Sequence, residues 1–263
     1  MKHLSQYQPA QTLMLIDSDC SLKELVKVTF MDLLFRQVLQ ANSVTSQPHP
    51  LTSAYTSTYI SQGINFKNYL SKPYEEVFTA PFIGHAGLEV LFRHLVKMGY
   101  QNSGSRGKYK RLIIQELEGA GLAERTWWNH LFGGCELTSV GEEVSKKLKE
   151  ELKLLKETLP GLIKENPEQA GAVLEAIKGN VFLISGFDVE LLRRFDQELN
   201  KPAASVTNSV DTSDVAAGCW IWHWHLFEEC SESFDSSCGG DAGCSGDGDS
   251  GCSGGGCSGC GGD

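Results

Sequence analysis

The chain has 263 residues, with 23 Lys and Arg against 33 Asp and Glu and a formal net charge of -10. No Lys or Arg follows Lys201, ten carboxylates fall in 202–263, and residues 1–201 carry 23 charges of each sign. Segment 230–263 also holds 12 of the 28 Gly and 6 of the 9 Cys, so the composition describes a neutral body and an acidic, Gly/Ser/Cys-rich end. No apolar run approaches the roughly 20 residues of a bilayer span; the longest, Ala216–Phe227, is about half that length. Met1–Cys20 has no apolar signal core, so a cytoplasmic location with reduced thiols is expected rather than a disulfide scaffold. A neutral body is also a poor global match to nucleic acid, and about 200 ordinary residues suffice for one large or two small domains.

The first predicted element begins near Ser21. Ser21 and Glu24 have capping-box spacing. Leu22, Leu25, Val26, Phe30, Leu33, Leu34 and Val38 recur at helical spacing, read as two short helices because Val28-Thr29-Phe30 is a poor helix interior. Residues 41–53 read as a loop, and Ala54–Ile60, rich in Tyr and Thr, as a strand. Pro73 and Glu75-Glu76 open a short helix. Leu88, Leu91, Phe92, Leu95 and Met98 mark the next, with Gly99 as its stop. Tyr109, Leu112, Ile113, Leu117 and Ala120 define another, ended by Gly121. Leu122–Leu137, with Trp127-Trp128 and Gly133-Gly134, suits a two-stranded hairpin. Ser139 to Glu142 reads as a second capping box before a long helix that Pro160-Gly161 breaks. Asn166, Pro167 and Gln169 start a helix running to Gly179, Val181–Ile184 reads as a short strand or turn, and Asp188 caps a last helix through Leu199. The divisions expected are 1–80, 81–160, 161–200, a linker 201–218, a Trp/His segment 219–229 and an end 230–263 that cannot form a core.

From Leu88 to Val144 the order is helix, short loop, helix ending Gly121-Leu122, hairpin, then Glu136-Leu137-Thr138 and Gly141 entering a helix. This order resembles a winged helix-turn-helix. Residues 21–60 resemble a degenerate copy, so the fold class expected is mainly α (α+β), with a tandem pair of winged-helix-like modules, further C-terminal helices and a disordered tail. Taken whole, the neutral helical body beside a Cys/Gly-rich end resembles an uncharacterised bacterial family of that layout. The likeness implies a fold and an arrangement, and no activity.

If the second module reads DNA, its recognition helix is 107–120, with Arg106, Lys108, Lys110 and Arg111 at the end where base and phosphate contacts are made and Arg125 at the wing. Residues 85–135 hold seven basic groups against four acids, a surplus of three; the same helix equally suits protein contacts. Trp127, Trp128 and Phe132 offer stacking or gripping surfaces. Cys219, His223, His225 and Cys230 are a candidate zinc set at an untypical spacing, the alternative being a Trp-rich anchor packing on the body. Cys238, Cys244, Cys252, Cys257 and Cys260 continue the thiol series. On a flexible chain they suit Zn or Cu(I), or oxidation and enzymatic modification. Cys135 with His130, and Asp17 with Asp19, read as packing and loop residues. No phosphate loop, H-E-x-x-H or G-x-S-x-G is present, so no enzyme and no small-molecule substrate is expected. The reading is an interaction scaffold with a protein partner and a thiol-bearing end. The alternatives are a DNA-binding regulator and a precursor whose Cys segment is matured by a partner enzyme.

Overall fold

A computed structural model of the chain describes residues 1–47, 55–124 and 136–184. The described part is mainly helical with two small antiparallel sheets. Its first helix, α1 (Pro9–Ile16), begins well before the first element expected from sequence; Pro9 at N1 and buried Met14 and Leu15 account for it. Helix α2 (Leu22–Phe35) is one continuous 14-residue helix, not two short ones. The Ser21 cap forms as expected: Glu24 N–H donates to Ser21 Oγ at 3.1 Å and Ser21 N–H to Glu24 Oε2 at 2.7 Å. Thr29, the poor helix former at its centre, donates its hydroxyl to the Leu25 carbonyl at 2.8 Å and so removes its own desolvation cost.

Strand β1 (Leu39–Ser46) occupies much of the expected 41–53 loop. It pairs with β2 (Tyr55–Gln62) from Leu39 opposite Gln62 to Ser46 opposite Tyr55. Its Gln, Asn, Ser and Thr residues lack an alternating pattern because most of the strand is exposed; pairing, not burial, makes it a strand. After a 3-10 turn at Phe66–Asn68 come α3 (Glu76–Thr79) and a second 3-10 turn at Ala80–Phe82. Val90–Leu91 form β3, which adds to β2. The expected Leu88-to-Gly99 helix is instead α4 (Phe92–Ser103), and Gly99 lies inside it. A Cβ at Gly99 would strike the Phe78 ring, so the glycine admits an aromatic side chain and stops nothing. Gly104, at φ 67°, ends the helix.

Helix α5 (Arg106–Gly119) follows a two-residue turn and is capped by Ser105, whose Oγ accepts from Lys108 N–H at 3.3 Å. Strands β4 (Ala123–Glu124) and β5 (Glu136–Leu137) pair antiparallel and are the ends of the expected hairpin; its interior lies outside the described residues. Helix α6 (Ser139–Glu165) is capped by Thr138, not by the expected Ser139: Gly141 N–H donates to Thr138 Oγ1 at 3.0 Å. Gly141 is required because a Cβ there would strike the Leu122 carbonyl. Helix α6 also runs through Pro160. Buried Leu159 and Ile163 hold the turns on either side and outweigh the roughly 3 kcal/mol that an interior proline costs. Asn166 caps α7 (Pro167–Ile177) as expected, with Gln169 N–H donating to Asn166 Oδ1 at 3.1 Å. Val181 to Leu183 belong to a 3-10 turn, Lys178–Leu183. The helix expected from Asp188, the linker, the Trp/His segment and the Cys-rich end lie outside the described residues.

Two stretches share one hydrogen-bond plan. Both α2 and α5 are 14 residues long, follow a helix and a short turn, and begin at a serine cap. At the end of α2, Val38 N–H bonds the Leu33 carbonyl and Gln37 N–H the Leu34 carbonyl, each at 2.9 Å; at the end of α5, Leu122 bonds Leu117 and Gly121 bonds Glu118, also at 2.9 Å. This is the Schellman closure, with Gln37 (φ 55°) and Gly121 (φ 72°) in the left-handed position. An antiparallel pair follows each, and the residue after its second strand bonds back: Gly63 to Val38 at 2.8 Å, Thr138 to Leu122 at 3.1 Å. The two stretches are nonetheless joined in one core cluster running from Leu4 to Ile184. Phe30 of α2 meets Phe78 at 5.1 Å and Phe92 of α4 at 5.4 Å between ring centroids, and the Tyr109 hydroxyl of α5 bonds Thr29 Oγ1 at 3.0 Å. Among the described residues no helix is long and apolar enough to cross a membrane.

Gly99→Ala gives a sign test of this packing. Helix propensity alone favours alanine by about 1 kcal/mol. The Phe78 contact predicts instead a net loss of roughly 1–2 kcal/mol, seen as a lower denaturant midpoint at unchanged m-value.

Candidate functional site

The cations of the expected recognition helix divide into two pairs. Arg106 sends an Nη2 hydrogen bond to the Asp19 carbonyl and another, at 3.2 Å, to the Cys20 carbonyl. Lys110 is buried, and its Nζ bonds the Ser18 carbonyl; burial lowers its pKa. Both therefore hold the α1–α2 turn, where α1 ends and α2 begins. Lys108 and Arg111 remain exposed, and with exposed Gln115 and half-buried Glu118 they form one stripe along α5. Arg125 lies outside the described residues. So do Cys219, His223, His225, Cys230, Cys238, Cys244, Cys252, Cys257 and Cys260, as well as Trp127, Trp128, Phe132, His130 and Cys135. Among the described residues no three His, Cys, Asp or Glu side chains are grouped to hold a metal ion. Asp17 sits in the turn as expected, its Oδ1 accepting from Asp19 N–H at 2.9 Å. The buried Cys20 thiol is pushed up to about 11 by desolvation, so it is a weak nucleophile.

A second group was missed from sequence. Asp32 (2% exposed) stands on α2 among apolar neighbours, and Glu75 (1% exposed) stands just before α3. Arg36 Nε lies 2.8 Å from Asp32 Oδ2, one helical turn on, and Gly179 N–H donates to Asp32 Oδ1 at 3.3 Å. A Cβ at Gly179 would strike that carboxylate. Glu75 Oε2 accepts from Lys72 N–H at 2.7 Å and Oε1 from the Tyr69 hydroxyl at 2.8 Å. The Tyr69 hydroxyl is in turn 3.5 Å from Gln8 Nε2, and the Tyr74 hydroxyl donates to Gln8 Oε1. Burial pushes Glu75 up to about 7; its two hydrogen bonds oppose that, nearby Asp32 adds to it, and Arg36 offsets part. Burial also raises Asp32, against the pull of Arg36. Perturbed groups of this kind in a cleft mark candidate functional sites. Neither carboxylate lines a cavity itself, but Arg36, paired with Asp32, and Lys72, whose N–H bonds Glu75, line one of about 400 Å³ together with Gln8, Gln11, Glu116 and Lys178 among others. Lys72 Nζ and Glu116 form an ion pair on its wall.

The sequence signal for this group was an acid inside an otherwise apolar stripe with an arginine four residues on. Glu75 gave no such signal, because beside Pro73 it matched an ordinary first-turn acid. No protein-family model, curated protein or solved structure matches the chain significantly.

Glu75 gives a pH prediction. Its folded pKa of about 7 exceeds the ordinary 4.5, so the native state binds the extra proton. Stability from this group is complete below about pH 4.5 and is lost as pH rises through about 7. Thermal melts from about pH 5 to about pH 8 should show a loss on the order of 3 kcal/mol, most of it absent in Glu75→Gln. Asp32 shifts the same way, and the Arg36 guanidinium, itself raised, stays charged across that window. Equal pH dependence in both proteins would show that Glu75 is ordinary.

Proposed function

We propose that the chain is a non-enzymatic, cytoplasmic interaction protein whose body docks a protein partner and whose 230–263 segment offers thiols to Zn, Cu(I) or a modifying enzyme. The observation that carries the first half is the division of cations on α5. With Arg106 and Lys110 bonded to the 18–20 carbonyls, Lys108 and Arg111 share the outward stripe with Gln115 and Glu118. Such a mixed, nearly balanced stripe suits a protein surface better than a phosphate backbone, where affinity grows with each neutralised phosphate. Helix α2, the counterpart in the first stretch, has ten of fourteen residues buried and offers little to any groove. The second half rests on composition: six thiols and no cation in 230–263 favour soft-metal ligation or thiol chemistry. Cys219, His223, His225 and Cys230 would extend the ligand supply.

The rival reading is a DNA-binding regulator. In its favour, α4, a two-residue turn, α5 and an antiparallel strand pair follow in the order of a winged helix-turn-helix. Fluorescence anisotropy with a mixed-sequence duplex at low salt separates the two. The expected result is no specific binding. Binding that weakens steeply with salt and disappears in Lys108→Glu/Arg111→Glu would establish the rival; Lys110 is unsuitable for that test because it is buried. Intact-mass analysis of protein purified anaerobically from its own host tests the thiols. It should find metal or covalent additions that Cys→Ser substitutions across 230–263 remove, and bare thiols would refute that half.

A further inference from the structure

The cavity of about 400 Å³ beside Arg36 is within the size range of small-ligand pockets. Its walls come from distant parts of the chain: Gln8, which caps α1, and Gln11 within it, Arg36 at the end of α2, Lys72 before α3, Glu116 of α5 and Lys178 after α7. Lys72 and Glu116 satisfy each other. Gln11 Oε1 accepts from Gln8 N–H at 3.0 Å, and the Gln8 amide is fixed by Tyr74 and Tyr69. Arg36 Nε lies against Asp32 Oδ2 as an ion pair at 2.8 Å. Among the described residues, neither terminal guanidinium nitrogen of Arg36, nor Lys178 Nζ, nor Gln11 Nε2 has a hydrogen-bond partner. Two cations and an amide donor thus line one cavity with donors to spare, while the available carboxylates are already engaged.

Backbone conformation at Lys178 is the second, independent observation. It takes φ 51° and ψ -139°, a combination that residues bearing a Cβ seldom adopt and that glycine adopts freely. A glycine stands at the next position, yet the strained position carries a lysine. Strain held at a residue that lines a cavity is the kind that function retains.

We propose that this cavity binds a small anionic metabolite through its carboxylate or phosphate group, with the Arg36 terminal nitrogens and Lys178 Nζ holding the oxyanion and Gln11 Nε2 adding a neutral donor. Arginine supplies a planar fork matched to two oxyanion oxygens, and its pairing with Asp32 fixes the orientation of that fork. Such a ligand would join α1, α2 and the segment after α7, and so would stabilise the body on which the proposed partner contact depends.

The test is calorimetric titration of the full chain with inorganic phosphate and, separately, with succinate, against chloride at matched ionic strength. Saturable binding of at least one oxyanion with Kd on the order of 1 mM is expected, since a group of so few atoms reaches only modest affinity. Selectivity between the two probes tells a phosphate ligand from a carboxylate one. Lys178→Gly should weaken binding on the order of tenfold while the ligand-free protein melts at the same temperature or higher, because the backbone strain is relieved. Arg36→Lys keeps a charge against Asp32 but loses the fork, and should weaken binding as well. No saturable binding of either probe, or equal affinity in wild type and Lys178→Gly, would overturn the proposal. Because the duplex and thiol experiments do not involve this cavity, its failure leaves the interaction reading standing.

Discussion

A carboxylate buried on a helix that faces solvent on almost no side is the constraint around which the body is arranged. Asp32 lies on α2 with apolar residues at most positions around it, and water cannot stabilise its charge. Two partners compensate: Arg36 one turn further along the same helix, and the backbone N–H of Gly179 from the far end of the described body. Removing one member of such a buried pair exposes the full desolvation cost of the other, on the order of 3–5 kcal/mol. The segment 178–183 is therefore tied to α2 by electrostatics as well as by packing. Once it is there, Asn180 Nδ2 reaches the carbonyls of Leu4 and Tyr7 at 2.7 and 2.9 Å and pins the N-terminal residues over the same corner. Glu151 of α6 accepts from the N–H groups of His3 and Leu4 at 3.2 and 3.0 Å and holds them from the other side. The cavity beside Arg36 follows from that closure.

Sharing α2 between the two similar stretches has a second consequence. Each stretch follows the plan of serine cap, helix, Schellman closure and antiparallel return, but the first has given its helix to the common core. Phe30 and Thr29 make the contacts to the second stretch, so the two cannot separate without exposing both. Helix α2, which stands in the first stretch where α5 stands in the second, is an internal packing surface with ten of its fourteen residues buried. Likeness of plan therefore does not carry likeness of use.

Features legible in the sequence were those whose physics is local. Ser21 with Glu24, Asn166 with Gln169, and Gly121 after α5 each act within one turn, and the structure has them where the spacing placed them. Features that failed were decided by distant groups. Gly99 looked like a stop because glycine usually is one, and it lies inside a helix because Phe78 needs the room. Pro160 looked like a break, but burial of Leu159 and Ile163 keeps the helix going. Strand β1 lacked alternation because little of it is buried, so its partner β2 alone specifies it. The Asp32 and Glu75 group failed for the same reason: beyond the i,i+4 pair of Asp32 and Arg36, its members come from separate segments that no spacing rule joins.

Charge shows the same separation between composition and placement. Counting cations near the start of α5 gave four candidates for phosphate contact, yet a cation's value to a ligand depends on whether its donors are already used. Arg106 and Lys110 close the α1–α2 turn by donating to three consecutive carbonyls, Ser18 to Cys20, as the chain reverses. Their role is thus set by backbone groups that carry no formal charge and leave no trace in a charge count. Lys108 and Arg111 are left outward, on a chain that also carries ten carboxylates and no cation beyond Lys201. A partner that does dock there must gain from shape and hydrogen bonding to Gln115 and its neighbours, not from net charge.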